Sequence, residues 1–148
     1  MNQRLCIALA LLGTGAISLD AQVDITVRAY HKWKAAEASC KLEPACIARS
    51  DIDKSASSTY LKGMGDGFVW ANADLAALHR NRLYCAPEEL GMNSDNYDQI
   101  LESFLPKMGE AWRTLKNKDW KTLDDVPAGF ALLMALTNAF PCGEDSKQ

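Results

Sequence analysis

Apolar positions along this chain recur at steps of three and four residues, and strict apolar–polar alternation is nearly absent. Such spacing lines apolar side chains along one side of a helix, whereas a half-buried strand needs a step of two. The clearest run is Leu61, Met64, Phe68, Ala71, Leu75 and Leu78, with Arg82 continuing the steps. It predicts a helix from about Thr59 to Leu83. Upstream, Val23, Val27, Tyr30 and Trp33 share a face and predict a first helix over about residues 22–42. Between the two, the polar, serine-rich stretch 49–58 reads as a loop.

A third helix is expected to start near Asn93 or Ser94, since either side chain can accept from the free amides of a first turn. It runs through Tyr97, Ile100, Leu101 and Phe104 and is expected to bend or stop at Pro106, which cannot donate to the helical ladder. A last helix begins near Pro127, carries Phe130, Leu133, Met134 and Leu136, and ends at Pro141. With no internal repeat and no linker, the elements predict one all-α domain, a bundle of about four to five helices.

The amino-terminal residues break this pattern. Arg4 precedes an apolar run from Leu5 to Leu12, small residues follow, and Leu19-Asp20-Ala21 offers a cleavage point. That layout predicts a secretory leader over residues 1–21 and a mature domain over 22–148 that works outside the cytoplasm. The run is shorter than the roughly 20 apolar residues that span a bilayer. Charges interrupt every later apolar stretch, so no membrane insertion is expected. The chain carries 16 basic and 19 acidic side chains, a net charge of −3. Removing the leader takes away one of each, Arg4 and Asp20, and leaves that balance unchanged. Mild acidity argues against nucleic acid as a partner, which would call for a basic field.

Export changes how the cysteines are read. Behind a leader, Cys40, Cys46, Cys85 and Cys142 are expected to form disulfides rather than a metal site. Four cysteines allow three pairings; Cys40–Cys46 with Cys85–Cys142 is favoured and the others stay open. No close Cys-x-x-Cys pair is present, and His31 and His79 lie far from the cysteines in sequence, so no metal or other cofactor is expected. Nor is there a nucleophile elbow, a phosphate-binding glycine loop or a His-Glu-x-x-His. No catalytic residue is assigned. Asp66 could serve as an acid, but it shares no recognisable motif with a second carboxylate or a histidine. A structural aspartate tying helices together is the stronger account, because a buried bare carboxylate is costly.

Gly63 and Gly67 stand four apart on one helical face, where their missing side chains are expected to let a second helix approach closely. Between residues 107 and 124, Trp112 and Trp120 are interleaved with Arg113, Lys116, Lys118 and Lys121. Aromatic and cationic anchors of this kind dominate protein interfaces, so these six residues form the candidate partner-binding set.

Taken in order, Tyr60-Leu-x-Gly63-x-x-Asp66-Gly67, Cys85-x-Pro87 and Phe140-Pro141-Cys142, with the alanine- and leucine-rich stretch 131–139, resemble the Rap/Tai family of periplasmic immunity proteins. The similarity runs from near Cys40 to Cys142. It implies a small helical domain, often dimeric, that binds and blocks a cell-wall amidase delivered through type VI secretion. By the same resemblance Tyr60, Gly63, Asp66 and Gly67 belong to the central framework helix, and Cys85, Pro87, Pro141 and Cys142 to a covalent closure. The chain departs from the family in having Ser57-Ser58-Thr59 where a cysteine usually precedes the central motif, and in its tryptophan-rich segment 107–124. The alternative is a periplasmic helper or chaperone-like binding protein with no cognate toxin.

Overall fold

Thr26 opens the first helix, its hydroxyl accepting the Ala29 amide at 3.4 Å. The computed structural model describes residues 25–40, 44–87, 89–114 and 120–143, and the expected leader over 1–21 lies outside them. Four helices follow one another: α1 (Val27–Ser39), α2 (Pro44–Ala77), α3 (Ser94–Thr114) and α4 (Ala128–Ala139). A single 3-10 turn, Leu123–Asp125, stands between α3 and α4, and no strand occurs among the described residues. The all-α class expected from periodicity is therefore the one adopted.

The second helix is longer than its apolar run predicts. Residues 49–58, expected to be a loop, are helical throughout. Two of the serines that read as loop are packing residues instead. Ser50 and Ser57 lie one above the other on the buried side of α2, with Leu61 and Gly65, and their small side chains let the helix approach its neighbours. Lys54 adds an ion pair to Glu37 of α1 at 2.7 Å. At its other end α2 stops at Ala77 rather than Leu83. His79 adopts a left-handed φ of 52°, the Arg80 amide donates to Leu75 and the His79 amide to Ala76. This is the reversal that closes many helices. It leaves Leu78, the last apolar residue of the predicted stripe, 66% exposed.

Asn93 caps α3 reciprocally: its side chain accepts the Asn96 amide and the Asn96 side chain accepts the Asn93 amide, both at 3.0 Å. The chain does not stop at Pro106, as expected, but stays helical to Thr114. Leu105 and Met108, on either side of the proline, are both buried. Pro106 itself is exposed, where water can satisfy the carbonyl it frees. Pro127 directly precedes α4, as the sequence predicts.

The core gathers Val27 and Tyr30 from α1, Leu61 from α2, Tyr97, Leu101, Leu105 and Met108 from α3, and Ala131, Leu132 and Leu136 from α4, with Tyr84 and Val126 from connections. The starts of α1 and α4 are zipped together by two backbone bonds, Val27 N–H to Val126 and Ala128 N–H to Ile25. Beneath the core, the Tyr30 hydroxyl donates to Asp98 at 2.7 Å and Lys34 donates to the other carboxylate oxygen at 2.8 Å. Both disulfides form in the favoured pairing, Cys40–Cys46 and Cys85–Cys142. The second fastens the loop after α2 to the tail after α4. Asn72 steadies the same loop by donating to the Tyr84 carbonyl and accepting the Leu83 amide.

Close approach at glycine is decided elsewhere than expected. Nothing lies within 4 Å of where a β-carbon would stand at Gly63 or Gly67. The glycine that admits a neighbour is Gly65, whose missing side chain is replaced by the Tyr97 ring. Gly129 does the same on α4, against Met64 and the Tyr60 hydroxyl. Gly63 and Gly67 thus weaken α2 by about 1 kcal/mol each relative to alanine, with no compensating contact among the described residues.

Candidate functional site

The four motif residues of α2 do different jobs. Tyr60 reaches across to α4, its hydroxyl accepting the Gly129 amide at 3.0 Å. That bond satisfies one of the free donors of the α4 first turn and links the two helices. Asp66, by contrast, ties no helices together. It accepts from Lys62 one turn earlier at 2.7 Å, with both side chains about half exposed. Gly63 and Gly67 are exposed.

The predicted aromatic anchors come together. Trp112, near the end of α3, and Trp120, just before the 3-10 turn, have ring centroids 6.0 Å apart. Trp120 also meets Phe130 of α4 at 5.3 Å. Both indoles pack on the core and remain only partly buried. Offset ring contacts of this kind hold the three aromatics as one rigid unit. Lys121 is exposed beside them. The side chain of Arg113 and residues Lys116 and Lys118 lie outside what the structure describes.

Two members of this surface are not marked as such by the sequence. Phe130 and Met134 sit one turn apart on α4 and are 38% and 41% exposed, while Ala131, Leu132, Ala135 and Leu136 form the buried side. Their periodicity alone places them with the core residues, because a helix apolar on most sides does not announce which side is covered. The ridge Trp112–Trp120–Phe130–Met134, with Lys121 at its edge, is an apolar surface with a charged rim. That composition suits protein contact.

Elsewhere the chemistry is closed. A cleft of about 220 Å³ between α1, α2 and α3 is lined by Trp33, Lys34, Glu37, Lys54, Ser57 and Asp98, among others. Its lysines are both engaged, Lys34 with Asp98 and Lys54 with Glu37. The hydrogen bond to Asp98 holds the Lys34 ammonium above its usual range. Burial, with Asp98 accepting its proton, pushes the Tyr30 phenol up. Neither group is poised to exchange a proton near neutral pH. No group of three or more His, Cys, Asp or Glu side chains that could hold a metal occurs among the described residues. No described helix is long and apolar enough to cross a membrane.

No family model, no curated protein and no solved structure matches this chain.

Proposed function

We propose that this protein acts by covering another protein, as a periplasmic immunity protein that inhibits a peptidoglycan amidase delivered by type VI secretion. The observation that carries the binding reading is the half-exposed ridge of Trp112, Trp120, Phe130 and Met134, set on helices whose connections are held by a disulfide. A preformed surface of rigid aromatics loses little freedom on docking. The amidase as partner rests on the motif resemblance at Tyr60–Gly67, Cys85–Pro87 and Phe140–Cys142. Inhibition would follow from occlusion of the amidase cleft and needs no catalytic group here.

The test is co-expression with a candidate Cys-His amidase directed to the periplasm, scored as rescue from lysis. Phe130→Ala with Lys121→Glu is expected to lose rescue while the protein stays folded, because both side chains are exposed. Full rescue by that variant would remove the ridge as the contact surface. Capture of many unfolded clients from periplasmic extract, in place of one stoichiometric amidase, would favour a toxin-free helper.

A further inference from the structure

The connection between α2 and α3 is fastened at its backbone, yet the space behind it is left unfilled. Its described residues form no helix or strand, but three consecutive ones are held in place. Asn72 of α2 accepts the Leu83 amide at 2.7 Å and donates to the Tyr84 carbonyl at 2.9 Å. Cys85 donates its amide to the Phe140 carbonyl at 2.9 Å and is bonded to Cys142. A segment with no helical ladder is ordered here because its backbone groups find partners one by one.

Between this braced segment and α2 lies a cavity of about 270 Å³. Val69 and Ala73 line it from the helix, and Tyr84, Ala86, Leu90 and Met92 from the connection. Alanine stands at two positions where a larger apolar side chain would fill the space. Val69 and Leu90 keep 47% and 42% of their surface open instead of closing on each other. An apolar hollow with a preformed wall and few polar groups is the usual make-up of a small-molecule site. Among those polar groups Asn72 is occupied by the connection, and the Tyr84 hydroxyl is itself buried. Arg82 is left. It lines the cavity, is exposed, and has no ion-pair partner among the described residues. No described carboxylate shares the lining.

We infer that this cavity binds a single-chain alkyl carboxylate, free in solution, with its chain against Val69, Ala73 and Leu90 and its carboxylate on Arg82. Size sets the length of the chain. A methylene group fills about the volume of a water molecule in the liquid, ~30 Å³, so the cavity holds roughly nine such groups. One chain of octanoate length fits, and a two-chain membrane lipid does not. Charge sets the other end: a carboxylate gains a guanidinium partner there, whereas an amine would meet a like charge. The inference stands apart from the amidase reading, since none of Trp112, Trp120, Phe130 and Met134 lines the cavity.

Isothermal titration of the purified protein with octanoate is the measurement. One site per chain is expected, with a Kd below about 1 mM. Hexanoate should bind about tenfold more weakly, because two methylenes fewer are buried. Dodecanoate should gain no more than about threefold over octanoate, because its extra carbons find no space. Arg82→Gln should weaken octanoate about fivefold and leave octanol unchanged. Ala73→Phe, at an exposed position of α2, should weaken both at least about tenfold by filling the cavity, while circular dichroism shows the helices intact. A Kd above about 1 mM for octanoate would overturn the proposal, whether a protein partner covers the cavity or nothing does. So would affinity that climbs with every added carbon, as surface adsorption does, or binding indifferent to Ala73→Phe. An Arg82→Gln loss equal for octanoate and octanol would overturn it as well.

Discussion

The ring of Tyr97 on α3 lies against Gly65 on α2, in the space that a β-carbon would occupy. One missing side chain thereby sets the distance between two helices. The neighbouring Gly63 and Gly67 admit no neighbour among the described residues. Alanine should therefore act in opposite senses along five residues of one helix. Gly63→Ala and Gly67→Ala each add about 1 kcal/mol of stability through helix propensity. Gly65→Ala loses more than that gain, by about 1–3 kcal/mol net, because the overlap is with a ring that cannot swing away. Urea unfolding of the three variants checks the order, and a stabilised Gly65→Ala would refute the packing described for Tyr97.

Two phenols, Tyr60 partly buried and Tyr97 fully buried, offer a comparison. The Tyr60 hydroxyl serves the Gly129 amide, so Tyr60→Phe should cost about 1–2 kcal/mol by stranding that donor. The Tyr97 hydroxyl is buried with no hydrogen-bond partner among the described residues. Tyr97→Phe should accordingly be neutral or stabilising by up to about 1 kcal/mol. The pair is read from the shift in urea midpoint at constant slope, and equal losses in both variants would contradict it.

Alkaline pH should unfold this protein through its tyrosines. Burial raises Tyr30, Tyr84 and Tyr97 above the usual phenol range, Tyr97 to about 12. A group raised by folding contributes its full stabilisation below the unfolded value, about 10 for tyrosine, and loses it as pH climbs through the folded value. Stability is expected to hold from neutrality to about pH 9.5 and then fall between about pH 10 and 12. Denaturant titrations across that range test it. Tyr97→Phe should make the decline shallower, and an unchanged midpoint up to pH 11.5 would count against these burials.

The two disulfides should differ in worth. Cys85–Cys142 closes a separation of 57 residues and Cys40–Cys46 one of 6. On loop entropy alone, Cys85→Ser with Cys142→Ser costs about 4 kcal/mol, and Cys40→Ser with Cys46→Ser about 2 kcal/mol. Thermal unfolding of both double variants measures the ranking, and the reverse order would mean that the short link carries contacts beyond chain closure.

The candidate surface was only half legible in the chain. Trp112, Trp120 and Lys121 stand out because large aromatics in a charged stretch are unusual. Phe130 and Met134 do not, since their spacing matches that of any core-facing helix. The buried side of α2 is hidden for a different reason. Serine-rich residues 49–58 resemble a loop when local preference is consulted, so the pattern does not join Ser50 and Ser57 to Leu61 and Gly65 as one face.

Local signals determined the helices. Periodicity, the caps at Asn93 and Pro127, and the cysteines act within a turn or two, and they specify an all-α chain suited to covalent closure. Tertiary structure decided which glycine admits a neighbour, which serines sit inside a helix, and which apolar residues remain outside. Those outcomes depend on contacts such as Tyr60 with Gly129 and Tyr30 with Asp98, whose partners are 69 and 68 residues apart. No window of sequence holds both partners, so only the folded arrangement of helices can choose between faces that look alike along the chain.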